Sequence, residues 1–339
     1  MKSNTMITSL KTLIIVCAVV SPLMLAVAFG AAEKKEDASA GAASNQKQFA
    51  TPKEAADALI QVASNLDVNA AKEILGPDSD DLIASEDPVA DKNNAQEFAN
   101  KAKEKTSVDI SKKDPNVAIL LVGKDDFPLP IPIVKKQGKW FFDTKVGREE
   151  IINRRVGANE LNAIELCRGY VEAQHEYASD KHDDSKVNQY AQQILSDQGK
   201  HNGLAWQNAD GSWGGPVGEI VAKALQEGYS KERGKPYHGY YFKVLKGQGP
   251  DAPMGQMDFV VGGAMIGGFA LAAAPADYRV TGVKTFIVGP DGVVYGKDLG
   301  PDSVKTFQEM DKYNPDKTWQ VTEDDVEDDA GETEAAPQA

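Results

Sequence analysis

From residue 49 onward the chain carries two hydrophobic rhythms. Ala55, Ala58, Leu59 and Val62 recur at helical spacing behind Thr51-Pro52, and Glu54 at the third position completes a capping box. The same rhythm predicts a short helix around Asn69 to Leu75, stopped by Gly76-Pro77, and a third from about Val89 to Lys103. The period then shortens to two. Val108 and Ile110, Val117 to Val122, Ile131 to Val134 and Trp140 to Phe142 read as strands, separated by Asp-Pro, Gly-Lys-Asp-Asp and Gln-Gly turns.

A long helix is predicted from about Arg148 to Ser179. On a helical wheel Ile164, Cys167, Val171, His175 and Ala178 share one apolar arc, and Leu166, Tyr170, Ala173 and Tyr177 share another. Glu165, Glu172 and Glu176 form the solvated stripe, so the helix is expected to pack on most of its circumference. Shorter helices are expected over Val187 to Leu195 and Val217 to Leu225. Strands follow over Tyr237 to Leu245, Met257 to Val261, Ala264 to Ala274, Thr285 to Val288 and Val293 to Tyr295, the last two joined by the turn Gly289-Pro290-Asp291-Gly292.

This order gives an α+β fold. Residues 49–147 read as a small α+β cone of the nuclear-transport-factor-like kind. Residues 148–320 read as a long helix packed on an antiparallel β-meander, like the globular half of a pilin, although no apolar N-terminal spine precedes that helix.

The ends of the chain differ from this body. Lys2 and Lys11 precede an apolar stretch from Leu13 to Ala32 that closes in Gly30-Ala31-Ala32, the pattern of an export signal peptide over residues 1–32. The stretch is also long enough to span a bilayer, so membrane anchoring through residues 13–32 is the alternative to periplasmic release. Cys17 follows Val16, where a lipidation site calls for a small residue. Residues 33–48 read as a linker, and residues 321–339, with eight acids and no Lys or Arg, as a disordered acidic tail.

Composition narrows the function classes. With 339 residues and 41% hydrophobic content the chain can build two ordinary domains, and a formal charge of −14 argues against nucleic acid. Cys167 alone remains after signal cleavage, which leaves no internal disulfide and favours a buried thiol. No metal-protease, P-loop, nucleophile-elbow or paired-Cys motif occurs. Gly262, Gly263, Gly267 and Gly268 lie in strand-like sequence and mark turns or close approach. No cofactor, metal or catalytic residue is assigned. His175 and His238 are the nearest to general bases, and a structural role is the simpler account of both.

The aromatic run Pro236 to Phe242 is the most unusual stretch. In a strand, His238, Tyr240 and Phe242 would share one face and Tyr237 and Tyr241 the other. Tyr237 and Tyr241 are therefore the candidate partner-binding pair.

The segments Phe49-Ala50-Thr51-Pro52-Lys53-Glu54-Ala55-Ala56, Leu75-Gly76-Pro77, Ile151-Ile152-Asn153-Arg154-Arg155-Val156-Gly157, Pro236-Tyr237-His238-Gly239-Tyr240-Tyr241-Phe242, Met265-Ile266-Gly267-Gly268-Phe269-Ala270 and Lys297-Asp298-Leu299-Gly300-Pro301 resemble an exported bacterial family, domain of unknown function 2950. That resemblance implies an exported bacterial protein of unassigned activity and brings no catalytic residues with it. Relatives often carry a calcium-like loop after the long helix. Here the stretch is Asp180-Lys181-His182-Asp183-Asp184-Ser185-Lys186, where His182 replaces an oxygen ligand and Ser185 the turn glycine, so a solvated turn is expected.

Three readings of function follow. The first is a non-catalytic cell-envelope protein binding an envelope protein or surface component through its C-terminal sheet. The second is a small-ligand carrier using the N-terminal cone, and the third an undetected hydrolase around His238 or His175.

Overall fold

The computed structural model describes residues 46–322 apart from Lys231 and Arg233. The expected signal peptide, residues 33–45 of the expected linker and the acidic residues beyond Thr322 lie outside the described residues. Within them the chain is α+β, built from helices and antiparallel sheets.

Four helices come first: α1 (Pro52–Asn65), α2 (Val68–Leu75), α3 (Asp80–Ile83) and α4 (Pro88–Glu104). The capping box starts α1, with Thr51 Oγ1 accepting from Glu54 N at 3.1 Å and the Glu54 carboxylate accepting from Ala50 N at 3.1 Å. The chain then forms β1 (Thr106–Ile110), β2 (Val117–Val122), β3 (Phe127–Pro128), β4 (Ile133–Lys136) and β5 (Lys139–Phe142), antiparallel in the order β1-β2-β4-β5 with β3 added to β2. Strand periodicity decides which side chains enter the core: Ala118, Leu120 and Val122 of β2 are buried, and the residues between them only partly so. With Leu59, Ile74, Ile133 and Phe142 they fill a first core, which leaves the centre of the expected cone occupied by side chains. The linker ends earlier than expected, because Gln46 Nε2 donates to Ile74 O and Phe142 O.

Helix α5 (Thr144–Ala178) has 35 residues, about 52 Å of rise. Asp143 caps it, and Gly147 lets it pass close to Ile131, whose Cα would lie 2.6 Å from a Cβ at that position. Ile151 packs on the first core, whereas Ala163, Cys167, Tyr170, Val171 and Tyr177 belong to a second. Both expected apolar arcs are thus occupied, and Glu165, Glu172 and Glu176 are exposed as expected. The exception is His175, which is exposed, while its neighbour Gln174 is fully buried.

After α5 come β6 (Trp206–Gln207) paired with β7 (Trp213–Gly214), then α6 (Gly218–Glu227) and β8 (Tyr240–Leu245). Two-residue ladders follow: β9 (Gly247–Gln248) with β10 (Met257–Asp258), and β11 (Val260–Val261) with β12 (Ala264–Met265). The last elements are β13 (Ala270–Pro275), β14 (Lys284–Val288), β15 (Val294–Asp298), α7 (Ser303–Glu309) and β16 (Gln320–Val321). The second sheet runs β16-β15-β14-β13-β8, antiparallel throughout. All six β13 residues are buried, because the strand is internal and both α5 and α7 pack on it. Val321, assigned to the tail, belongs to β16.

Two expected elements are corrected. Residues 187–195 are not helical. Gln174 Oε1 accepts from Ala191 N and Gln174 Nε2 donates to Ala191 O, both at 2.8 Å, so a buried side chain takes both backbone groups that a helix would use internally. Tyr190 N and Ala205 N then hold the segment extended, donating to Met265 O and Ile194 O. The strand expected from Tyr237 begins at Tyr240. His238 and Gly239 have φ of 47° and 75° between a Tyr237–Tyr240 bridge, which makes a tight turn rather than a strand. Tyr237 and Tyr241 therefore do not share a strand face, and Tyr240 is fully buried, its hydroxyl donating to Lys284 O.

Candidate functional site

Two places concentrate polar side chains. The first joins the start of α4 to the turn before β8. Asp87 is 1% exposed and caps α4, its Oδ1 accepting from Ala90 N at 3.0 Å. Its Oδ2 accepts from the Tyr229 hydroxyl at 3.1 Å and from Gly239 N at 2.8 Å. The Tyr229 hydroxyl in turn accepts from His238 N at 3.3 Å. Glycine suits position 239, whose φ of 75° lies in the left-handed region that side chains rarely adopt.

His238 lies beside this cluster, with Nε2 3.8 Å from Glu227 Oε2 at the end of α6. That oxygen is buried and has no hydrogen-bond partner among the described residues. Burial holds the imidazole below its ordinary range, opposed by the nearby Glu227 and Asp87 carboxylates and reinforced by Lys223. Burial also pushes the Tyr229 phenol far above its ordinary range, and Asp87 adds to that shift. Tyr229 is thus a fixed donor to Asp87 rather than an activated nucleophile, and the cluster fastens backbone to backbone.

The second place is a cleft of about 220 Å³ between the extended 189–193 segment, Asn202 and Lys246. Its walls are set by their own hydrogen bonds. Gln189 donates to Ser185 Oγ and accepts from Met265 N, and Gln192 donates to Gly263 O. Asn202 accepts from Gln193 and donates to Asp197, and the Tyr177 hydroxyl donates to His201 O. Burial pushes the Tyr177 phenol up to about 12, with Asp183 adding to it. Tyr190 forms another wall, its ring edge-on to Phe269 at 4.7 Å between centroids.

The remaining sequence candidates fall elsewhere. Tyr237 is half-buried, 4.7 Å from the Tyr229 ring and 4.3 Å from His238. Tyr241 is half-buried in β8 and packs on the second core. Cys167 is fully buried, and burial pushes its thiol up to about 12. In the Asp180–Lys186 loop the Asp183 carboxylate accepts twice from His201 N, and the His182 ring stacks on Tyr177 at 3.8 Å. No group of three or more His, Cys, Asp or Glu residues suited to a metal ion occurs among the described residues, nor a helix long and apolar enough to cross a membrane.

Asp87, Tyr229 and the cleft amides were not singled out from sequence. Asp87-Pro88 did carry a signal, an N-cap followed by proline at the first helical position. The cleft carried none, because its amides are brought together by a segment whose pattern reads as a helix. The family model described as Protein of unknown function (DUF2950) matches residues 46–322. The chain belongs to that family. The match covers both cores and both polar sites of this DUF2950 protein. No curated protein and no solved structure matches it.

Proposed function

We propose that this DUF2950 protein is a non-catalytic binding module of the cell envelope. On this reading residues 1–32 export it to the periplasm, or residues 13–32 hold it at the membrane, and the C-terminal half engages an envelope protein or surface component. The observation that supports a binding role is the cleft. Its walls are fixed by hydrogen bonds to backbone and to one another, as in preformed ligand sites. The buried Asp87, Tyr229 and Cys167 are instead held in structural environments. Strand β8 connects the cleft to the tyrosine first chosen as partner-facing, since Tyr241 lies near one end and Lys246 follows the other. We read residues 49–147 as a nuclear-transport-factor-like cone and residues 148–320 as a pilin-like half, two architectures suited to presenting a sheet surface.

A photo-crosslinking residue placed at Tyr241 or Gln193 in the exporting cell tests this reading. A discrete envelope adduct is expected at one of these positions and not at Leu161, an exposed residue of α5. The absence of an adduct at both positions, or equal yield at Leu161, overturns it.

A further inference from the structure

The cleft defines the chemistry of an occupant more closely than the binding role does. Tyr177, Gln189, Gln192 and Asn202 have hydrogen bonds that set their orientation. Three lining residues keep polar capacity that no hydrogen bond among the described residues uses. Gln193 Oε1 and the Tyr190 hydroxyl make no hydrogen bond among the described residues, and the Lys246 ammonium makes one, to Gln192 Oε1 at 3.3 Å. An ammonium carries three donors, so two remain for a ligand.

Charge selects further. Lys246 is the one formally charged residue on the lining, in a chain of formal charge −14. A carboxylate placed there gains a charge-assisted bond from Lys246. Size suits a small ligand or one end of a longer one, because about 220 Å³ lies below the roughly 300–1,000 Å³ of drug-sized sites. The Tyr190 ring supplies an apolar wall beside amides that offer both donor and acceptor. An apolar ring face, several hydroxyls and one carboxylate describe an acidic sugar.

We propose that this cleft binds a single acidic sugar unit, a uronic-acid-type ring whose carboxylate pairs with Lys246 and whose hydroxyls meet Gln193 Oε1 and the Tyr190 hydroxyl. This inference rests on the binding-module reading and assigns it a ligand class. The full-length protein titrated with D-glucuronate, D-glucose and inorganic phosphate, followed through its side-chain amide NMR resonances, provides the test. Glucuronate is expected to shift the Gln192, Gln193 and Asn202 amides. Lys246→Met is expected to weaken glucuronate by about tenfold, the loss of one hydrogen bond to a charged group, and to leave glucose unchanged. Gln193→Leu is expected to weaken both sugars while thermal unfolding verifies the fold. No shift with glucuronate, phosphate binding as tightly as glucuronate, or a Lys246→Met protein that binds glucuronate like the wild type overturns the proposal. If an envelope adduct at Tyr241 or Gln193 is still found in that case, the acidic-sugar assignment alone has failed. If neither position gives one, the binding-module reading fails with it.

Discussion

Replacing Asp87 by alanine removes the acceptor on which three donors converge, Ala90 N, Tyr229 Oη and Gly239 N. The helix cap alone contributes about 1 kcal/mol. Each of the other two bonds goes to a charged acceptor and leaves a buried donor without a partner when lost, about 1.5–3 kcal/mol apiece. These terms are not additive, and deleting the carboxylate also relieves its own desolvation. The expected loss is therefore about 3–5 kcal/mol, among the largest single-site effects. Asp87→Asn should fall between alanine and wild type, because one amide oxygen cannot serve all three donors. Tyr229→Phe should lose about 1–2 kcal/mol and show strong coupling to Asp87→Ala in a double-mutant cycle. Urea unfolding followed by tryptophan fluorescence reads all of these. An Asp87→Ala loss under about 1 kcal/mol, or full additivity with Tyr229→Phe, would refute the assignment of this carboxylate as the fastening between α4 and the β8 turn.

Three further outcomes are expected. Because burial lowers the folded-state pKa of His238, the unfolded chain binds the extra proton first on acidification. The histidine therefore makes stability fall as pH drops below its ordinary value of about 6.5. His238→Asn, which tolerates the left-handed backbone there, should flatten that slope in pH-dependent melting, and an unchanged slope would assign it to other groups. Cys167 should resist a thiol reagent at mildly alkaline pH in the folded protein and react once denatured, and rapid native labelling would contradict its burial. Gly147→Ala should destabilise by about 1–3 kcal/mol through the clash with Ile131, measured by thermal unfolding, and a neutral effect would show that α5 can shift away from that contact.

Local signals gave the helical half of the fold. Thr51, Pro52 and Glu54 place α1 to the residue, and the Gly289–Gly292 turn places the β14–β15 hairpin, because each is settled by chemistry within a few residues. The errors fall where a distant group overrides the local pattern. Residues 187–195 have helical spacing but yield to Gln174, which has the same polar appearance in sequence as any solvated glutamine. The wheel gave His175 an inward seat that Gln174 holds, its amide oxygen and nitrogen lying side by side to meet Ala191 N and Ala191 O. His238 adopts a left-handed backbone that glycine ordinarily supplies, so the turn before β8 carried only half of its usual signature. Both polar sites depend on these long-range choices. That is why Asp87 and the cleft amides escaped a reading made along the chain.

Helix α5 reaches both cores, from Ile151 at the first to Ala163 at the second, through a stretch that includes the exposed Gly157 and Leu161. Each residue of an α-helix advances by about 1.5 Å and turns by about 100°. The span between those contacts therefore works as a phase setting whose length is fixed more tightly than its spelling. Exchanges of one exposed side chain for another there leave the phase untouched. Insertion or deletion of a single residue would swing Cys167, Tyr170 and Tyr177 off their seats against the second sheet, so the segment's exposed positions should tolerate drift in letters while Arg155, Asn159 and Glu160, bonded to distant backbone, and the residue count should not drift.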